Sequence, residues 1–477
     1  MFREEKKSKA NIIIKSIFLF VCLFYLSFLS GIVVFRPSSS LLTFNSMMEH
    51  MLHGQFDIDP DIDRAEGYLR NGKVYAYWGI FPALLRLPVL VLPHGGNLDI
   101  TQLSCIVALA LMLFINYKSI VYLSQYFSVG QSWLRPCFAF VVALSGAQVC
   151  FLRFSVYQEV CFWAIVFGFL YVHWAMRACL DPAQTPRALL WMSVSAGLAL
   201  LTRVSMGVGL YAAISLFGLL TVWRCMGRLR QAQGRAVRQT ARVWLGYCGL
   251  AVAVLVFFVG VVAYVNEQRW GNPLTFVDYH SYLMNRYYPD RVLRAHQYGL
   301  FNINRIPLGF IYFFVPVWVF KWGNGHLILS SSFHRLVDVT EMPPSSFFLT
   351  DGFLLLFSGI FVWSVVRRRT ISGVDSTAAI LNMAGLLVAP LLMMMAISMN
   401  FRYRAEFYPI IMFTAFLGAV VVSKKWLEKP FFKYICIALV CISIFSSFAA
   451  MVLYKKSGFG VPKQLMTMSV WEYYKGW

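Results

Sequence analysis

Residues 224–265 read RCMGRLRQAQGRAVRQTARVWLGYCGLAVAVLVFFVGVVAYV: six arginines without an acid, then an uncharged apolar run over 244–265. About 20 apolar residues at a rise of about 1.5 Å each cross a hydrocarbon core about 30 Å thick, so the run predicts a transmembrane helix. Arginine-rich short loops stay on the cytoplasmic side, so the same stretch also gives that helix its direction, from inside to outside. Working outward from it, similar runs occur near 12–35, 101–122, 136–152, 157–176, 188–203 and 205–223, and later near 349–366, 376–398, 407–423 and 431–454. Residues 307–322 are also apolar, but Pro307 and Pro316 interrupt them, and a crossing there would put Arg367, Arg368, Arg369, Lys424 and Lys425 outside. They are expected to form an interfacial or re-entrant helix on the outer side. The expected fold is an all-α polytopic membrane protein with about 11 transmembrane helices, N-terminus in and C-terminus out. One transmembrane domain spans 1–454, with large outward loops at 36–100 and 266–348 containing interfacial helices, and 455–477 form an outward tail.

Composition agrees. The chain of 477 residues is 59% hydrophobic and 13% charged, against roughly 45–50% and about 25% in soluble domains. That excludes a soluble enzyme and a disordered chain. The net charge of +21 comes mostly from short loops rather than from one contiguous basic face, which argues against nucleic acid as a partner. The ten cysteines lie in apolar spans or inward loops, so neither a disulfide framework nor a zinc site is expected. The basic N-terminus and its apolar run are read as an uncleaved first span, because 12–35 is too long for a signal-peptide core.

Chemistry is expected on the outward side. The first outward loop holds Glu49, Asp57, Asp59, Asp61, Asp63, Glu66 and Asp99. In an extended segment the alternating run Asp57–Asp63 would turn its carboxylates to one side. Such a set could bind a divalent cation, Mg2+ or Mn2+, or supply a general base; a solvated acidic loop is the plainer reading. After the Asn71-Gly72 turn come Tyr75, Tyr77 and Trp78, then a Pro-bounded amphipathic segment suited to the membrane surface. Glu159 stands at the outer entrance of a span, where an ionisable group is costly and marks a functional candidate; Arg203 lies at the outer end of another. Arg402, Tyr403 and Arg404 occupy a late outward turn, and the guanidiniums suit a phosphate, or simply anchor the span. The second loop opens with NEQRWGNP, including Arg269, and continues through Tyr279, Tyr282, Tyr287 and Tyr288, residues that suit a carbohydrate groove or a membrane-interface belt.

Taken in order, the acidic first loop, NGKVYAYWGIFPALLRLPVLVLP, VYQEVCFW, LTRVSMG, NEQRWGNPLTF and FRYRAEFYP resemble bacterial GT-C-type integral-membrane glycosyltransferases. That broad group includes the aminoarabinose and protein-mannosyl transferases. The resemblance implies an inverting transfer of a sugar from a polyprenyl-phosphate carrier to a glycan, lipid or protein acceptor, outside the bacterial inner membrane. It implies an acidic general base in the first outward loop and a donor phosphate held by Arg402, Arg404 and Arg203. Tyr75, Tyr77, Trp78, Arg269 and Tyr403 would then line the substrate. Many members carry the acid just after the first span; here Arg36-Pro-Ser-Ser-Ser40 has none, so Asp57, Asp59 and Glu159 are its candidate replacements. Three other readings remain: a flippase or transporter of lipid-linked sugars, a polysaccharide polymerase or ligase, and a non-catalytic assembly subunit.

Overall fold

A computed structural model describes residues 39–62, 66–127, 133–146, 154–231, 234–315, 343–368 and 373–456, with short pieces between them. Most of the expected first span, Arg36 to Ser38, Asp63, much of 316–342 and nearly all of the 455–477 tail lie outside the described residues.

A short strand β1 (Val34–Phe35) precedes helix α1 (Thr43–Leu52), hairpin strands β2 (Tyr68–Arg70) and β3 (Lys73–Tyr75), and single helical turns α2 (Phe81–Leu84) and α3 (Leu87–Leu90). Strand β4 (Leu98–Asp99) pairs antiparallel with β1, returning the first outward segment to the start of the next helix. There follow α4 (Thr101–Leu123), α5 (Leu134–Leu144), α6 (Val156–Leu180), α7 (Thr185–Thr202), α8 (Val204–Gln231) and α9 (Arg235–Trp270). After the small α10 (Asp290–Tyr298) and α11 (Ile306–Phe314) come α12 (Gly352–Arg368), α13 (Ser376–Leu386), α14 (Val388–Met395), α15 (Tyr408–Val421) and α16 (Pro430–Lys456).

Among the described residues, seven helical stretches are long and apolar enough to cross a membrane: α4, α6, α8, α9, α13 with α14, 401–421 including α15, and α16. The other expected spans are shorter or more polar. Helix α5 has 11 residues and stops where Ser145 turns extended, α12 has 17, and α7 carries Arg187 and two buried serines. Of the segment at 307–322, the described residues belong to α11, which ends at Phe314 where Val315 turns extended; 316–322 lie outside the described residues. The break between α13 and α14 falls at Leu387, three residues before Pro390, whose missing N–H leaves the Leu386 carbonyl without its helical donor.

Helix α6 is the centre of the bundle: 89% of its apolar core is buried, against 17% for α9. It packs on α4, α7, α15 and α13. An apolar helix that exposes Val252, Val256 and Phe257, as α9 does, suits hydrocarbon rather than water. Small residues let backbones approach. A Cβ at Gly418 would lie 1.9 Å from the Phe357 carbonyl oxygen on α12, and one at Gly385 2.2 Å from the Cα of Ala213 on α8.

Contacts sort the helix ends into two sets. At one end, the Asp375 N–H donates to the Cys179 carbonyl (2.7 Å), Arg224 pairs with Asp375, and Arg135 donates to the Ser124 carbonyl (2.8 Å). At the other, α6, α8, α12 and α15 begin beside the outward loops, where Tyr157, Arg203, Asp351 and Tyr408 stand.

Candidate active site

The late outward turn, Phe401–Phe407, is a 3-10 helix. With three residues per turn, positions i and i+3 eclipse, so Tyr403 and Glu406 share one face. Arg203 lies against that face. It pairs with buried Glu406, and its guanidinium sits 5.3 Å from the Tyr403 ring. Arg203 is placed by its own backbone, extended between α7 and α8 at φ −148°, and Ser205 donates to the same Glu406 oxygen at 2.5 Å. Arg402 shares the Tyr403 ring with it, at 5.8 Å, and lies 4.2 Å above the Tyr157 ring at the start of α6. Arg203 is mostly buried, its side chain 15% exposed, and Arg402 is partly exposed.

Arg404 turns inward. It is 1% exposed, pairs with Asp351 at 2.8 Å, and is covered by the Phe347 ring at 4.0 Å. Of the three arginines expected to hold phosphate, Arg203 and Arg402 come together on the outward face, while Arg404 ties the turn to α12. Buried ion pairs cost desolvation, and removing one partner strands the other, so Arg404 fixes the position of the turn rather than meeting solvent.

The outward loops close over this turn. Tyr77, half-buried, meets the Tyr68 ring at 5.8 Å and the Trp78 ring at 4.8 Å, and Trp78 meets Tyr157 at 5.4 Å. Tyr68 stacks on Tyr282 of the second loop (4.9 Å, 24°), and the Leu283 N–H donates to the Gly67 carbonyl at 3.0 Å. Burial pushes the Tyr77 phenol above its ordinary value; the charge of Arg402 opposes this, while Tyr403 and Glu66 add to it. The Tyr282 phenol is likewise raised by burial, then by Glu66. Glu66, part-exposed beside the Gly67–Leu283 hydrogen bond that joins the two loops, is one of the charges acting on Tyr77 and Tyr282. Beyond Tyr282, Arg291 and Arg294 clasp Asp338 (2.6 and 3.2 Å), and an open hollow of about 330 Å3 is lined by Leu69, His280, Tyr282, Asn285 and Arg286.

Of the other sequence candidates, Tyr75 and Trp78 back this cluster from the buried side, while Glu159 and the acidic run are held by other partners. Tyr75 is buried against Trp270, Trp78 lies in the core beside Phe44, and Arg269 donates to the Trp78 carbonyl at 2.8 Å. Glu159 is fully buried and paired with Arg86, which also donates to Thr101 (3.1 Å) and the Pro82 carbonyl (3.2 Å). The expected surface helix over 81–90 is two turns with Arg86 folded inward between them.

The acidic run does not stay extended. Ile58 bridges to Val74, then Pro60 turns the chain and the Ile62 N–H donates to the Asp59 carbonyl at 3.1 Å, so the period-two alignment breaks after Asp59. Among the described residues no group of three or more His, Cys, Asp or Glu could hold a metal ion. Asp59 is 54% exposed, accepts from Ser46 at 2.8 Å and lies 3.3 Å from His50. Asp57 is nearly buried beside Lys73 (3.3 Å) and His50 (3.5 Å). Burial works against its charge, but its own backbone N–H, Lys73 and His50 outweigh that and lower its pKa. A lowered folded-state pKa contributes stability that is full above the unfolded value of about 4 and is lost as pH falls through the folded value. Hydrogen exchange of β3 should therefore accelerate below about pH 4, and Asp57→Asn should flatten that acid-side rise. An unchanged acid profile in the variant would refute the assignment.

Sequence reading passed over Glu66 as one acid among seven, and over Tyr68, Tyr157 and Glu406. Only Glu406 carried a signal, its spacing of three from Tyr403.

No family model matches the chain, and no curated protein does. Among solved structures it is similar to the archaeal oligosaccharyltransferase AglB from Archaeoglobus fulgidus in complex with an inhibitory peptide and a dolichol-phosphate (14% identity, TM-score 0.46, covering 94% of this chain and 56% of that one). It is also similar to the Archaeoglobus fulgidus oligosaccharyltransferase in its apo form (15%, TM-score 0.45, 97% and 57%). The chain thus spans a little over half the length of the proteins it matches.

Proposed function

We propose that this chain is an integral-membrane glycosyltransferase that moves a sugar from a polyprenyl-phosphate carrier to an acceptor on the outer face of a bacterial inner membrane, with inversion. The observation that carries the reading is the pair Arg203 and Arg402 at the loop end of the bundle, both over the Tyr403 ring, with Arg402 also on Tyr157 and the loop tyrosines Tyr77, Tyr68 and Tyr282 packed next to these through Trp78. A departing lipid phosphate develops negative charge, and prepositioned guanidiniums stabilise it without a nucleotide site. Flat tyrosine faces with phenolic edges suit a sugar ring. Arg402 is assigned to the phosphate and Arg203, held by Glu406, to its flank.

Glu66 is assigned as general base in preference to the three acids singled out from sequence. Asp57 is committed to Lys73, Glu159 to Arg86, and Asp59 faces His50 and Ser46. A base removes the acceptor proton as the acceptor oxygen attacks the anomeric carbon; Glu66, in the first outward loop with Tyr68 and Tyr77, is the carboxylate we assign to that step. No step needs a metal, although a divalent cation remains compatible with such an acid. The finer topology of eleven crossings, N-terminus in and C-terminus out, belongs to the same proposal. The segregation of Arg177, Arg224 and Arg135 at one end of the bundle, away from the site, supports it.

Comparing envelope glycans by mass spectrometry with and without the gene should show loss of one sugar; an identical glycan profile would refute the activity. Glu66→Gln should lower transfer by about a hundredfold or more, with a normal yield in the membrane. Wild-type rates in that variant would return the base to Asp59.

A further inference from the structure

About 30 Å from Tyr157, the twenty-residue climb along α6 ends at Arg177, and a second constellation of rings and cations gathers there. Between α4, α6 and α7 runs an open groove of about 260 Å3, walled by Phe114, Ile115, Leu170, Trp174 and Trp191 with Lys118 at its rim. Trp174 and Trp191 lie parallel, 6.3 Å apart at 10°. Phe114 is 55% exposed and Trp191 44%, on the outside of a bundle whose interior is otherwise closed. The exposed Lys118 ammonium stands 5.4 Å from the Phe114 ring, and the Arg177 guanidinium 4.8 Å from the Trp174 ring.

Two details bear on the charge at this rim. The Arg177 guanidinium is stacked between the Tyr122 (4.7 Å) and Trp174 (4.8 Å) rings, its Nη1 lies 3.5 Å from the His173 ring, and its buried Nε has no hydrogen-bond partner, so rings and not a carboxylate face it. The nearby carboxylate of Asp181 is turned to its own helix start, accepting from the Ala183 N–H (3.0 Å) and from Gln184 (3.2 Å). The rim is therefore cationic, and the span from the site equals the thickness of a hydrocarbon core. Lys118 and Arg177 accordingly lie at the far membrane interface, where tryptophans also settle and lipid phosphates are found.

We propose that this groove binds an anionic phospholipid: one acyl chain lies between Phe114, Leu170 and the paired tryptophans, and the phosphodiester is held by Lys118 and Arg177. The inference stands on the groove alone and is independent of the transferase reading. Charge complementarity selects the occupant, since a headgroup of net negative charge leaves the two cations paired, whereas a zwitterionic one brings its own positive charge to them.

The test is native mass spectrometry of the detergent-solubilised full chain titrated with phosphatidylglycerol and, separately, with phosphatidylcholine of identical chains. The first phosphatidylglycerol should bind about thirtyfold more tightly than the first phosphatidylcholine. Lys118→Gln with Arg177→Gln should abolish that preference, and Lys118→Gln alone, at an exposed position that does not endanger folding, should reduce it about fivefold. Trp191→Ala should weaken both lipids alike. Equal affinity of the native chain for the two lipids, an unchanged preference in Lys118→Gln, or unchanged binding of both in Trp191→Ala would each overturn the proposal.

Discussion

Arg86→Met is expected to cost about 3–5 kcal/mol of stability, because it leaves the fully buried Glu159 carboxylate without its partner. The double variant Arg86→Met with Glu159→Leu should recover most of that loss, since an apolar pair of similar volume avoids the desolvation of both charges. Thermal melts of the purified variants in one detergent check this; a double variant as unstable as the single would show that Arg86 acts through Thr101 and the Pro82 carbonyl instead. The same double variant decides the chemistry of Glu159. Transfer retained in a folded Glu159→Leu protein removes that residue as a base, and transfer lost in an equally stable one restores it.

Arg402→Ala should depress sugar transfer by about 10²–10³, the usual cost of removing one prepositioned donor to a developing anion. Its melting temperature should stay close to that of the parent, because Arg402 is half-exposed and rests on the Tyr157 ring. Arg404→Ala should behave in the opposite way: it strands Asp351, buried at 0%, and should lower stability first and activity only as a consequence. Steady-state rates beside melting curves for both variants separate the roles. If Arg402→Ala transfers sugar at the parental rate, the phosphate assignment fails.

Much of this arrangement was legible in the sequence, and the misreadings have physical causes. The basic loop at 224–242 and the apolar run after it gave an expected direction, and the contacts of Arg224, Asp375 and Cys179 bring those groups together at one end of the bundle. The convergence of Arg203, Arg402, Tyr403 and Tyr77 was visible as outward cations and aromatics. The inward turn of Arg404 was hidden, because neighbouring guanidiniums look alike until the 3-10 spacing separates their directions. Burial of Glu159 was hidden as well, since its partner Arg86 lies 73 positions away in a segment that reads as a surface helix. The acidic run misled through Pro60, which turned an apparent extended strand. Among the described residues, α5 covers 134–144 of the span expected near 136–152, and α12 covers 352–368 of the one expected near 349–366.

Helix α6, clasped on every side by its neighbours, has a consequence for how a long-tailed donor arrives. With 89% of its apolar core covered by protein, this helix has little surface left for a lipid tail. A polyprenyl tail would therefore remain in the surrounding membrane and slide along the flank, and only its head would lean in over Tyr157. Under the proposed function, admission would fall to the perimeter, where α9 presents its bare hydrocarbon-like side, with α6 as the post beside which the head would settle.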